Sequence, residues 1–208
     1  MKWYENQHIL LALMLSFYII PIAYVYYKYN NNNNNESKSI SSILTSQDLV
    51  LLTIQTRHFI AACMFIMAVF TIIYEFQRCV KHMKSSWWSL FTIVILLIGI
   101  FGVIYIPETN SIHYIFAGVV FLSIIGFMTG HTIHRDVFHG HVDNFRILLY
   151  TQFLFMVITI IGVIQDAPIL TIESIFLLNF AVFYLYLHYH NHNHNHNHNH
   201  NHNHKIEQ

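Results

Sequence analysis

The chain has 208 residues, 55% of them hydrophobic and only 10% charged, with a formal net charge of zero. A soluble domain carries about 25% charged residues, so the composition is that of a bilayer protein and excludes an ordinary water-soluble fold. Ten basic residues balanced by ten acidic ones leave no surplus for a phosphate backbone, which argues against nucleic acid as a partner.

Residues 1–7 form a short polar start containing Lys2. The first apolar run, 8–28, is interrupted by Pro21 and closed by Tyr24, Tyr26, Tyr27 and Tyr29, an interfacial aromatic belt. No small-x-small cleavage site follows it, so it reads as a retained span. Residues 30–46 are Asn- and Ser-rich, a low-complexity loop, and Asn35-Glu36-Ser37 is a glycosylation acceptor if that loop is lumenal. The apolar piece 49–54 is too short to cross a membrane. It either lies at the interface or extends the next helix.

Further spans are predicted over 57–77, 87–106, 112–133, 145–164 and 168–189. Each is about 20 residues, matching ~30 Å of hydrocarbon at 1.5 Å per residue. Pro107 ends the third span because it lacks an N–H and restrains the preceding residue. Ser111 is the expected cap of the fourth. Gly118, Ser123, Gly126 and Gly130 mark the fourth as a helix that packs closely on its neighbours. Cys63 and Cys79 are separated by sixteen helical residues, about 24 Å, beyond disulfide reach. The expected fold class is all-α: a polytopic, six-transmembrane-helix bundle over 1–189 with a disordered tail over 190–208.

Orientation follows from basic residues. With the N-terminus inside, Lys2, Arg78, Lys81, Lys84, Arg135, Arg146 and Lys205 are cytoplasmic, and Lys28, Lys38 and Arg57 face the other side. This bias predicts both termini in the cytoplasm.

The tail alternates His and Asn over 190–204. Imidazoles bind zinc or copper, but an unanchored repeat supplies no coordination geometry and reads as a repeat expansion. His131, His134, His139 and His141 gather near the second cytoplasmic loop, and His82 lies in the first. Axial haem ligation needs pairs on facing helices; His58 with His113, and His82 with His131, are the candidate pairs for a haem-bearing transmembrane oxidoreductase. The preferred reading involves no metal and no cofactor. Glu75 and Arg78, three apart, read as a local helical ion pair. Arg57, His113 and Glu173 stand at the lumenal mouths of spans two, four and six, where ionisable groups are costly unless paired or wet. They are predicted to form one polar cluster, and His113 would gain charge in an acidic lumen. No nucleophile elbow, phosphate loop or paired-carboxylate motif is visible, so no catalytic residue is assigned.

Three short stretches resemble the DRAM/FRAG/SFK family of six-span membrane proteins. They are His113-x3-Ala117-x3-Phe121 after an acidic turn, Ile172-Glu173-Ser174-Ile175-Phe176 with Tyr184-Leu185-Tyr186, and Arg57-His58-Phe59-Ile60-Ala61-Ala62. The resemblance covers roughly 8–189, although the first lumenal loop lacks the family's frequent Pro- and Gly-containing piece. It implies a non-enzymatic protein of endolysosomal or plasma membranes. Its work would be autophagy, phosphoinositide organisation or, as a lipid-handling factor, remodelling of GPI-anchored lipids. The implied partners are the bilayer, lipid headgroups and other membrane proteins.

Overall fold

The computed structural model describes residues 6–30, 40, 49–51, 54–81, 86–107, 109–139, 143–165, 167 and 169–206. Six long helices form on the six apolar runs: α1 (Gln7–Asn30), α2 (Thr56–Lys81), α3 (Ser86–Tyr105), α4 (Ser111–His139), α5 (Asp143–Ile164) and α6 (Leu170–Ile206). Hydrocarbon offers no partners to a backbone N–H or C=O, and an α-helix satisfies both within the segment. The apolar stretches are 19 to 23 residues long, about 28–35 Å of helix. The chain is a multi-pass membrane protein with a six-helix bundle. Six crossings bring the ends of the bundle back to the same face; that face is the near end below, and the opposite face the far end.

Local chemistry sets where the helices begin and stop. The Asn6 side chain accepts from the His8 N–H at 3.0 Å and caps α1. Pro107 follows the last turn of α3, whose Ile106 N–H donates to the Gly102 carbonyl. Asn110, rather than Ser111, caps α4: its Oδ1 accepts from the Ile112 N–H at 3.0 Å and its carbonyl from the His113 N–H. Both types are good caps; the turn after Pro107 decides which one arrives at the position. Leu49–Leu51 (β1) and Ile54–Gln55 (β2) pair antiparallel immediately before α2. The short apolar piece thus folds back on itself instead of extending the helix. At the other end, α6 runs to Ile206, so the backbone of the His/Asn tract continues the helix where the sequence predicts a disordered tail. Elongating an existing helix skips the unfavourable nucleation step.

Each helix packs on its chain neighbours, and α6 returns to pack on α1, closing a ring in chain order. The α3–α4 seam is the most extensive and α5 the least buried span. Small residues create that seam, though not quite those the sequence marks out. A Cβ on Gly102 would stand 2.2 Å from the Phe116 ring, and one on Gly130 2.5 Å from the Trp88 indole. Gly118 has nothing within 4 Å of that position, and Gly126 only Thr92 at 3.9 Å. Inside the ring, Phe127 of α4 stacks on Tyr184 of α6 at 5.3 Å and meets Phe180 and Phe183 edge-on. Between α5 and α6 the seam is polar. Gln152 donates to the Phe176 carbonyl, and the Asn179 amide donates to Gln152 and to the Leu148 carbonyl.

Candidate functional site

Two polar groupings occupy opposite ends of the ring. At the near end the centre is Glu75 on α2, whose side chain is wholly buried. Its Oε2 accepts two bonds from Arg78, one turn on: Nη2 at 2.6 Å and Nε at 3.1 Å. Its Oε1 accepts from the Tyr184 hydroxyl of α6. Arg78 also donates Nη2–H to His131 Nε2 of α4 at 3.1 Å, and Ser89 of α3 reaches the same nitrogen at 2.8 Å. A guanidinium only donates. His131 Nε2 is therefore an acceptor, the imidazole is neutral, and the serine hydroxyl donates. The Arg78 guanidinium lies 5.9 Å from the Phe127 ring centre, a cation–π distance.

One pair of residues three apart thus grows into a network spanning α2, α3, α4 and α6. An ion pair inside a bilayer is tolerable when each member is paired and hydrogen-bonded, and this one is. Beside it, the Tyr74 hydroxyl meets His188 Nδ1 at 2.7 Å, and His188 Nε2 meets His8 Nδ1 at 2.9 Å. This chain ties α2 and α6 to the first turns of α1. The sequence contained the signal for both: Glu75 and Arg78 fall inside a 23-residue apolar span, where ionisable groups mark interhelical contacts by default. Their spacing alone had suggested only a local pair.

At the far end the ring is hollow. A half-open cavity of about 120 Å³ lies between α1, α2, α3, α4 and α6, with Ile40 on one side. Stripes of apolar residues line it: Ile60 and Met64 of α2, Val103 and Ile104 of α3, Ala117, Val120 and Phe121 of α4, and Phe176 of α6. Its polar lining is Glu173 and Tyr18. Tyr18 is committed to the Leu177 carbonyl at 3.1 Å, and Glu173 Oε2 accepts from the Ile40 N–H at 2.6 Å. A second apolar cavity of about 30 Å³ lies towards the near end, between Tyr18 and Tyr184.

No family model matches this chain, and neither a curated protein nor a solved structure matches it. Its function is argued from the geometry.

The three residues predicted to cluster all stand at the far end, each with its own partner. Arg57 lies on the Tyr105 ring, its Cζ 5.8 Å from the centroid. His113 donates Nδ1–H to the Ile106 carbonyl at 2.7 Å, tying α4 to the end of α3. Glu173 holds Ile40. Among the described residues no hydrogen bond or ion pair joins Arg57, His113 and Glu173 to one another. They share a location instead. Arg57 is one turn out from Ile60, His113 one turn out from Ala117, and Glu173 lines the cavity itself.

The histidines proposed as haem ligands fall into different settings. His131 Nε2 is occupied by Arg78 and Ser89, and ligation through it would displace both contacts. His58 is exposed and His113 is 1% exposed against the α3–α4 turn. His82, His141 and the sequon at Asn35 lie outside the described residues, and the side chains of His134 and His139 are not described. Among the described residues, no group of three or more His, Cys, Asp or Glu is arranged to hold a metal ion.

Proposed function

We propose that this chain is a non-enzymatic membrane protein that holds a lipid hydrocarbon chain within its helical ring and thereby organises lipid in its membrane. The observation that carries the reading is the far-end cavity. At about 120 Å³ it is of the same order as the ~150 Å³ apolar cavity that stays dry and takes up benzene. An apolar space of this size in a bilayer is surrounded by chains of which a segment fits it. Its polar side chains, Tyr18 and Glu173, are engaged with backbone partners, which leaves the lining suited to holding a ligand rather than transforming one.

The resemblance to DRAM/FRAG/SFK proteins supports the same reading and directs it to endolysosomal or plasma membranes, in autophagy or in the handling of GPI-linked lipids. The excess of basic residues at the near end supports cytoplasmic termini. Native mass spectrometry of the protein, released from detergent after delipidation and exposure to mixed membrane lipid, tests the central claim. One retained acyl lipid per chain is expected. A chain that stays empty under these conditions overturns it.

A further inference from the structure

The geometry points to an acidic headgroup site at the mouth of that cavity: we propose that Arg57 and His113 bind the phosphomonoester of a single-chain lipid whose tail fills the cavity. The inference rests on the reading that the cavity holds a hydrocarbon chain, and adds which class of lipid it selects.

Four observations carry it. Arg57 Nε is buried and has no hydrogen-bond partner. His113 Nε2 is likewise buried and without a partner, on a side chain only 1% exposed. Leaving such atoms unsatisfied is costly, more so in hydrocarbon than in water. Both residues pack on the same place, the end of α3: Arg57 on the Tyr105 ring and His113 on the carbonyl of Ile106, the next residue. Both also continue the stripes that line the cavity. Arg57, Ile60 and Met64 follow i, i+3, i+7 on α2, and His113, Ala117, Val120 and Phe121 follow i, i+4, i+7, i+8 on α4.

Donor and acceptor roles then select the chemistry. Arg57 Nε–H donates and needs an anionic oxygen. His113 gives its Nδ1 proton to Ile106, so Nε2 of the neutral ring is an acceptor and needs an O–H. A phosphomonoester in its monoanionic form offers both on one phosphorus: P–O⁻ accepts from Arg57 and P–O–H donates to His113. A carboxylate offers only the first, and a neutral glycerol ester offers no anion. A cavity of about 120 Å³ takes a segment of one chain and is too small for two.

The test is binding of 1-oleoyl lysophosphatidate, monoolein and inorganic phosphate to the full chain in phosphatidylcholine nanodiscs. Lysophosphatidate should bind at least tenfold tighter than monoolein, and inorganic phosphate should not compete. Arg57→Gln should abolish that preference, and His113→Phe should reduce it. Ala117→Phe and, independently on another helix, Val103→Trp should weaken both lipids; size-exclusion profiles identify any variant that has lost its fold. Equal wild-type affinities for the two lipids, or a preference that survives Arg57→Gln, overturn the headgroup assignment alone. Competition by inorganic phosphate overturns the lipid class. Two folded cavity variants that still bind both lipids overturn the lipid-holding reading beneath it.

Discussion

Glu75 and Arg78 are the residues whose loss should be felt most. Removing one member of a buried pair leaves the other charged, desolvated and unpaired, at a cost of about 3–5 kcal/mol. Glu75→Gln is therefore expected to lower the thermal unfolding midpoint in detergent sharply, and Glu75→Gln with Arg78→Gln to recover part of the loss because the two effects are not independent. A single variant that melts with the parent would show the network to be incidental. The candidate site was legible in the sequence only in part. Ionisable residues in apolar runs could be picked out, and Arg57, His113 and Glu173 do stand at one end of the bundle. The partners of His113 and Glu173 were not legible, because backbone atoms supply them: the Ile106 carbonyl and the Ile40 amide have no sequence signature. His188 and His8 are 180 residues apart in the chain, and no local pattern joins them.

The helices themselves were nearly all readable. Their apolar runs are long enough that only a transmembrane helix accommodates them, and the predicted spans agree with the observed ones to within a residue or two. Which glycines make the closest approach was less legible. Composition marks Gly118 and Gly130 alike, yet only Gly130 meets a neighbour, because rotation about the helix axis is fixed by tertiary packing. Gly102 gives the sharper test. Gly102→Val places a branched side chain where the Phe116 ring already stands, and overpacking of this kind costs about 1–3 kcal/mol. A lower melting point is expected, partly restored by adding Phe116→Ala. Gly118→Ala, facing open space, should be neutral. Equal penalties at both glycines would mean that the α3–α4 seam is not formed as described.

For the whole molecule the decisive measurement is sidedness. Cytoplasmic termini put the loop before α2 in the lumen, so a sequon introduced near Ser41 should be glycosylated, and Asn35 as well where the transferase reaches it. A sequon in the 140–142 link between α4 and α5 should stay unmodified. The reverse pattern inverts the molecule and carries the cavity mouth to the cytoplasmic face. The bundle's internal contacts would survive that inversion, since the near-end network and the far-end cavity are defined relative to each other. What would change is the leaflet that the cavity faces.

The ring closes between α1 and α6. Until α6 leaves the ribosome, Glu75 lacks the Tyr184 hydroxyl, His8 lacks His188, and Tyr18 lacks the Leu177 carbonyl. A nascent chain paused before Leu170 thus presents an unfinished polar seam to lipid, the kind of surface that membrane quality control removes. Emergence of α6 and burial of that seam become one event, so a chain cut before Leu170 is expected to be cleared rather than to persist as a smaller bundle.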